Sequence, residues 1–75
     1  METERLVTMA NEIAAFFASS MDAGEAEFAM SDHLRRFWEP RMRTALLAHL
    51  AAGGGGLSPV ARAGASALRP VVARP

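Results

Sequence analysis

Hydrophobic positions recur every three or four residues along most of this chain, which is the spacing of one helix face. From about Thr3 to Ser19, Leu6, Met9, Ala10, Ile13, Phe16 and Phe17 fall together on a helix turning roughly 100° per residue. Val7, Ala14 and Ala18 widen that side to an arc of roughly 200°. A single core contact requires a stripe about half as wide. The pattern predicts a helix that packs one side on the rest of the chain and leaves greasy surface over. Thr3 suits the N-cap, and Glu4 suits the positive end of the helix.

Ser19 to Gly24 reads as a turn. Asp22 is the N-cap of a second helix, with Glu25 three residues on to complete a capping box. The second helix is predicted over Ala23–Trp38. Its apolar positions are Ala26, Ala29, Met30, Leu34, Phe37 and Trp38, with His33 at the edge. Pro40 pushes Glu39 out of the helical region and starts a third helix itself. That helix runs to about Ala52. Met42, Leu46, His49 and Leu50 form one stripe, and Ala45, Ala48 and Ala52 form a smooth second face.

Gly53 to Gly56 stop the third helix; one can cap it and the others loosen the chain. Ser58 and Pro59 open a fourth, short and weak helix reaching about Leu68, with Gly64 inside. The closing stretch has no helical logic and reads as an extended arm. The fold class is therefore all-α: a small bundle of three to four short helices with an extended C-terminal arm. Residues 1–69 form a helical interaction domain and 70–75 an extended or disordered tail.

Composition narrows what such a bundle can be. Seventy-five residues make one small domain, with marginal stability unless something staples it. There is no cysteine, so disulfides, iron–sulfur ligation and thiol nucleophiles are excluded. The acidic start Met1-Glu2-Thr3-Glu4 is unlike a secretory signal, no apolar run is long enough to span a membrane, and the cytoplasm is the default compartment. Net charge is zero but divided: seven acids and one arginine up to Asp32, then seven arginines and one acid. There is no lysine.

No catalytic, cofactor or metal site emerges from the residues. His33 and His49 are sixteen positions apart with no organised carboxylate, and read as core-edge or hydrogen-bonded histidines. The glycine run lacks the Gly-Lys-Ser/Thr that a phosphate loop requires. Ser58 is explained by capping. The corner Arg35 to Arg43 holds the only tryptophan and four of the eight arginines. It superficially suggests a helix-turn-helix DNA reader. Yet the reading helix is mostly alanine and leucine past its first turn, and half the chain is acidic. An interaction module fits better: an over-wide apolar arc, an aromatic and arginine corner, and an arm with no fold of its own. A self-associating bundle stays open beside it.

Two strings, LVTMANEIAAFF from Leu6 and HLRRFWEPRMR from His33, resemble the signature segments of a small family. It is the delta subunit of the NAD-dependent, molybdenum-containing formate dehydrogenases. The resemblance covers most of Leu6 to Leu68, and Phe-Trp-x-Pro-Arg-Met-Arg is its specific part. It implies a non-catalytic accessory subunit that supports assembly or stability. The molybdenum cofactor, iron–sulfur clusters, FMN and NAD are then expected in larger partner subunits. The partners would be those subunits, the catalytic alpha subunit above all, with no nucleic acid and no membrane. Partner-binding residues carried over from the matching segments are Met9, Asn11, Phe16, His33, Arg36, Phe37, Trp38, Arg41, Met42 and Arg43.

Overall fold

The computed structural model describes residues 3–68. They form four helices: α1 (Thr3–Ser20), α2 (Ala23–Phe37), α3 (Pro40–Ala51) and α4 (Pro59–Ser66). There is no strand among the described residues. The fold is the all-α bundle that the periodicity predicts. The expected C-terminal arm lies outside the described residues.

Local chemistry sets the helix ends. Asp22 Oδ1 accepts from the Glu25 amide at 3.0 Å, which is one half of the expected capping box. Ser58 Oγ accepts from the Ala61 amide at 3.3 Å, with Pro59 in the first turn behind it. Glu39 is extended (φ −64°, ψ 151°), as the following proline demands. Trp38 is extended too (φ −90°, ψ 137°), so α2 closes one residue earlier than the hydrophobic pattern suggests. Its amide still bonds back to the Leu34 carbonyl. The corner thus has two non-helical residues, and they swing the indole away from the line of α2.

The core draws on every element. Leu6, Ala10 and Ala14 come from α1, Met30 and Leu34 from α2, Leu46 from α3, and Ala61 and Ala65 from α4. Trp38, Leu57 and Leu68 fill in from the connections. The wide apolar arc of α1 is accounted for mainly within the chain, because α2, α3 and α4 all pack on it. Val7, Met9, Ile13 and Phe17 flank the buried stripe and rest against the core. Phe16 is the large residue of the arc left out, at 64% exposed.

The fourth helix, short and weak by its sequence, is held by its packing. The α2–α4 packing is the most extensive in the bundle. Ala61, Gly64 and Ala65 are its buried face, and the small side chains there, with none at all on Gly64, are what let it approach α2 so closely. Its few apolar side chains matter less than its smallness, which lets the backbone itself pack. Correspondingly, Ala48 and Ala52 on α3 are exposed, so the smooth face expected there receives no helix.

The glycine run is not loose. Gly53 and Gly54 have φ of 125° and 64°, which L residues with a Cβ rarely adopt. The Gly54 amide bonds to the His49 carbonyl and the Gly53 amide to the Leu50 carbonyl, the paired bonds of a Schellman cap. Each of the four glycine carbonyls also receives a side chain. Arg62 donates to Gly53 at 3.1 Å and to Gly54 at 3.0 Å, and His49 Nε2 bonds to Gly55 at 2.8 Å. Asn11 Nδ2 donates to Gly56 at 2.8 Å. Three helices thus hold one loop, and the loop's Leu57 is drawn into the core.

Candidate docking surface

A docking surface needs apolar area that the chain cannot cover itself. Three large hydrophobic residues meet that condition among the described residues: Phe16, Phe28 and Phe37, at 64%, 72% and 70% exposed. Phe16 and Phe37 belong to one feature. Phe16 meets Phe17 edge-on with ring centroids 5.5 Å apart. Phe17 meets His33 edge-on at 6.1 Å, and His33 meets Phe37 at 4.9 Å. The result is a continuous row of four rings running from α1 across to the end of α2. Phe17 and His33 are half-buried and form its base. Such edge-to-face geometry is what aromatic quadrupoles favour.

The row exists because two helical periods meet. Phe17 turns toward α2 beside the buried Ala14 stripe, and Phe16, one step around, is carried outward. On α2, His33 and Phe37 are four positions apart and so share a face. The helix then ends, and Trp38 folds in the other direction.

The ten residues expected at a contact divide by position. Phe16, His33 and Phe37 are joined in the row. Met9 lies on the same stripe of α1 as Phe16, two turns earlier, half-buried against the core. Met42 is half-buried likewise. Trp38 is 6% exposed and belongs to the hydrophobic core. Asn11 faces about 140° away from Phe16 around α1. It clamps the glycine loop, donating to Gly56 and accepting from the Ser58 amide at 2.9 Å.

The corner arginines also separate. Arg43 Nη1 donates to the Arg35 carbonyl at 2.7 Å, satisfying one of the open carbonyls at the end of α2. The pairing of Arg43 with Glu39 that the spacing allows is not among the ion pairs of the described residues. Arg36 Nε lies 3.3 Å from Asp32 Oδ2, and Arg35 Nη1 lies 3.9 Å from Asp32 Oδ1. These pairs are well solvated and contribute little. Arg41 is exposed.

Two participants escaped the sequence reading. Phe28 points away from the Ala26, Met30 and Leu34 stripe, and a helical wheel carried to that residue places it outside. Arg62 had no such signal. Its partners are backbone carbonyls, fixed only once the glycine loop has its shape.

No group of three or more His, Cys, Asp or Glu residues among the described residues is placed to hold a metal ion. No helix among them is long and apolar enough to cross a membrane. What the surface does present is apolar area from Phe16 and Phe37 and positive charge from Arg36 and Arg41.

No curated protein and no solved structure matches the chain. The model of one family, described as NADH-dependent formate dehydrogenase delta subunit FdsD, matches residues 5–73, which include both signature strings, the aromatic row and the pinned loop. With nearly its whole length accounted for, the chain belongs to the FdsD family of formate dehydrogenase delta subunits.

Proposed function

We propose that this chain is a non-catalytic accessory subunit that docks on the larger subunits of a cytoplasmic NADH-dependent formate dehydrogenase, the catalytic alpha subunit first. It supports their assembly or stability. The molybdenum cofactor, iron–sulfur clusters, FMN and NAD belong to those partners on this reading. The observation that carries it is the exposed aromatic row. Two phenylalanines about two-thirds exposed, linked by Phe17 and His33, are costly to leave in water. Aromatic residues with arginine at the rim are what protein interfaces enrich. Phe16, Phe37 and His33 make the central contact. Met9 and Met42 supply adaptable apolar area beside them, and Arg36 and Arg41 reach partner carboxylates. Trp38, Asn11 and Arg43 act through the fold, holding the corner and the loop that set the row in place.

Co-expression with the dehydrogenase subunits tests this. Phe16→Ser and Phe37→Ser together remove the row's exposed ends without touching the core. If each is a hot spot costing about 2 kcal/mol or more, the pair weakens docking by roughly a thousandfold. The folded helical signal of the free chain should be retained. A double variant that co-purifies in full stoichiometry after stringent washing would sink the proposal.

A further inference from the structure

The aromatic row is not electrically symmetrical. Its Phe37 end lies at the corner where α2 gives way to α3. From Asp32 to Arg43 that corner carries four arginines against two acids, Asp32 and Glu39, a surplus of two positive charges. At the Phe16 end, the last turn of α1 has no basic residue. Whatever covers the row meets apolar rings along its length and positive charge at one end.

The four arginines are not equally available. Arg43 is engaged by the Arg35 carbonyl at 2.7 Å. Arg35 lines the α4 side of α2, beside Ala63 and Ala67. Arg36 and Arg41 remain. Arg36 stands three positions after His33, so it borders the face that carries the row. Its acidic neighbour Asp32, at 3.3 Å, is shared with Arg35 at 3.9 Å, and the Arg36 side chain is still 67% exposed. Arg41 is exposed and makes no ion pair among those of the described residues. Glu39 is exposed too, and pairs with neither Arg41 nor Arg43 there.

We propose that the partner-subunit segment seated on the row is acidic: it lays apolar side chains over Phe16 and Phe37 and brings at least two carboxylates to the corner, one to Arg36 and one to Arg41. This inference rests on the subunit reading above and adds the partner's chemistry to it. Guanidinium groups match carboxylates in paired hydrogen bonds, and dehydrate at less cost than an ammonium. Charge also sets aside the two occupants this chain could itself provide. The residues after Leu68 include Arg69 and Arg74 and no acid, so laying them here adds positive charge to positive. A second copy joined corner to corner sets the same surplus against itself. Like charges brought together oppose association. The two parts of the surface then act at different stages. The arginines attract the acidic segment over roughly one Debye length, about 10 Å in dilute buffer, and so raise the association rate. The rings hold it once it has arrived.

The chain has no lysine, which gives a direct test. Arg41→Lys supplies a single side-chain amine. Carbodiimide coupling of the co-expressed complex then joins that amine to a carboxylate in contact with it, as an amide with loss of water. Mass spectrometry should find the link to an aspartate or glutamate of a dehydrogenase subunit. Links confined to this chain, or made to a second copy of it, overturn the proposal. Association kinetics with the dehydrogenase subunits give the second reading. Arg36→Glu with Arg41→Glu should slow association by about tenfold or more in dilute buffer, with the free chain still folded by circular dichroism. Arg5→Glu, at the far end of α1, should change it much less. At about 1 M salt, where screening acts within about 3 Å, the parent and the double variant should converge. If Phe16→Ser with Phe37→Ser abolishes docking while the charge reversals leave its rate and salt dependence unchanged, the acidic segment is overturned and the subunit reading stands. If the phenylalanine variants dock in full, both fall.

Discussion

Gly64 of α4 lies against Met30 of α2 so closely that a Cβ at position 64 would stand 2.7 Å from Met30 Cβ and nearer still to Cγ. The two helices meet backbone to side chain, with no room between. Met30 Cβ is fixed by its own backbone, so rotating the thioether cannot relieve the clash. Gly64→Ala would gain about 1 kcal/mol in helix propensity. Overpacking costs roughly 1–3 kcal/mol, and a clash with a fixed atom belongs at the upper end. The steric term wins, and the net loss is about 1–2 kcal/mol.

Thermal melting of the Gly64→Ala chain should fall by about 4–8 °C for each kcal/mol lost, the sensitivity of a domain this small. Met30→Ala in the same background relieves the contact only in part, since alanine keeps the Cβ. An unchanged melting temperature for Gly64→Ala would mean that α4 moves off α2 freely, and that the tight crossing contributes nothing.

Asn11 makes two bonds of opposite sense, which separates its substitutions. Its Nδ2 donates to the Gly56 carbonyl and its Oδ1 accepts from the Ser58 amide. Asn11→Ala loses both, at about 1–3 kcal/mol. Asn11→Asp keeps the acceptor for Ser58 but sets a carboxylate oxygen against the Gly56 carbonyl, so it loses comparable stability. Amide exchange tells them apart: the Ser58 amide should exchange fast in Asn11→Ala and stay protected in Asn11→Asp. Equal exchange in both would remove Asn11 from the role of loop clamp.

Arg43 completes the carbonyl end of α2 by donating to Arg35. Arg43→Met keeps most of the stem and removes the charge-assisted bond. A loss of about 1 kcal/mol is expected, reduced from the usual value because the bond is exposed. Exchange of amides in the last turn of α2 should quicken, and Arg43→Lys should restore part of the protection by keeping positive charge at the helix end. If last-turn exchange stays at the parent rate in Arg43→Met, the guanidinium is not capping the helix.

The helices themselves were legible because caps, proline and period agree where α2, α3 and α4 begin. Asp22, Pro40, Ser58 and Pro59 all stand where the helices begin. Two things escaped. The importance of α4 lies in what Ala61, Gly64 and Ala65 lack, and a search for apolar weight passes over such a helix. The glycine run also carries its information in other residues: Asn11, His49 and Arg62 are far apart in sequence, and only the folded loop brings them to its carbonyls. For the contact surface, period alone cannot separate Phe37 from Trp38. They are neighbours on an apolar stretch, and the extended backbone at Trp38 decides which one turns inward.

That separation yields the sharpest prediction. Trp38 is a core residue and Phe37 an exposed one, so identical truncations should fail in different ways. Trp38→Ala removes a large buried ring at about 3–5 kcal/mol, close to the whole stability of so small a domain. The free chain should lose helical signal and its cooperative melt, and any loss of docking would follow from that unfolding. Phe37→Ala should leave the melt within about 0.5 kcal/mol of the parent, as exposed substitutions do. It should nevertheless weaken binding to the dehydrogenase subunits by about 30-fold if it is a hot spot of 2 kcal/mol. Circular dichroism melts of the free chains, set beside titration calorimetry with the partner, measure both axes. A Phe37→Ala chain that melts early and binds normally would place that ring in the fold, and the row would no longer be a surface waiting for a neighbour.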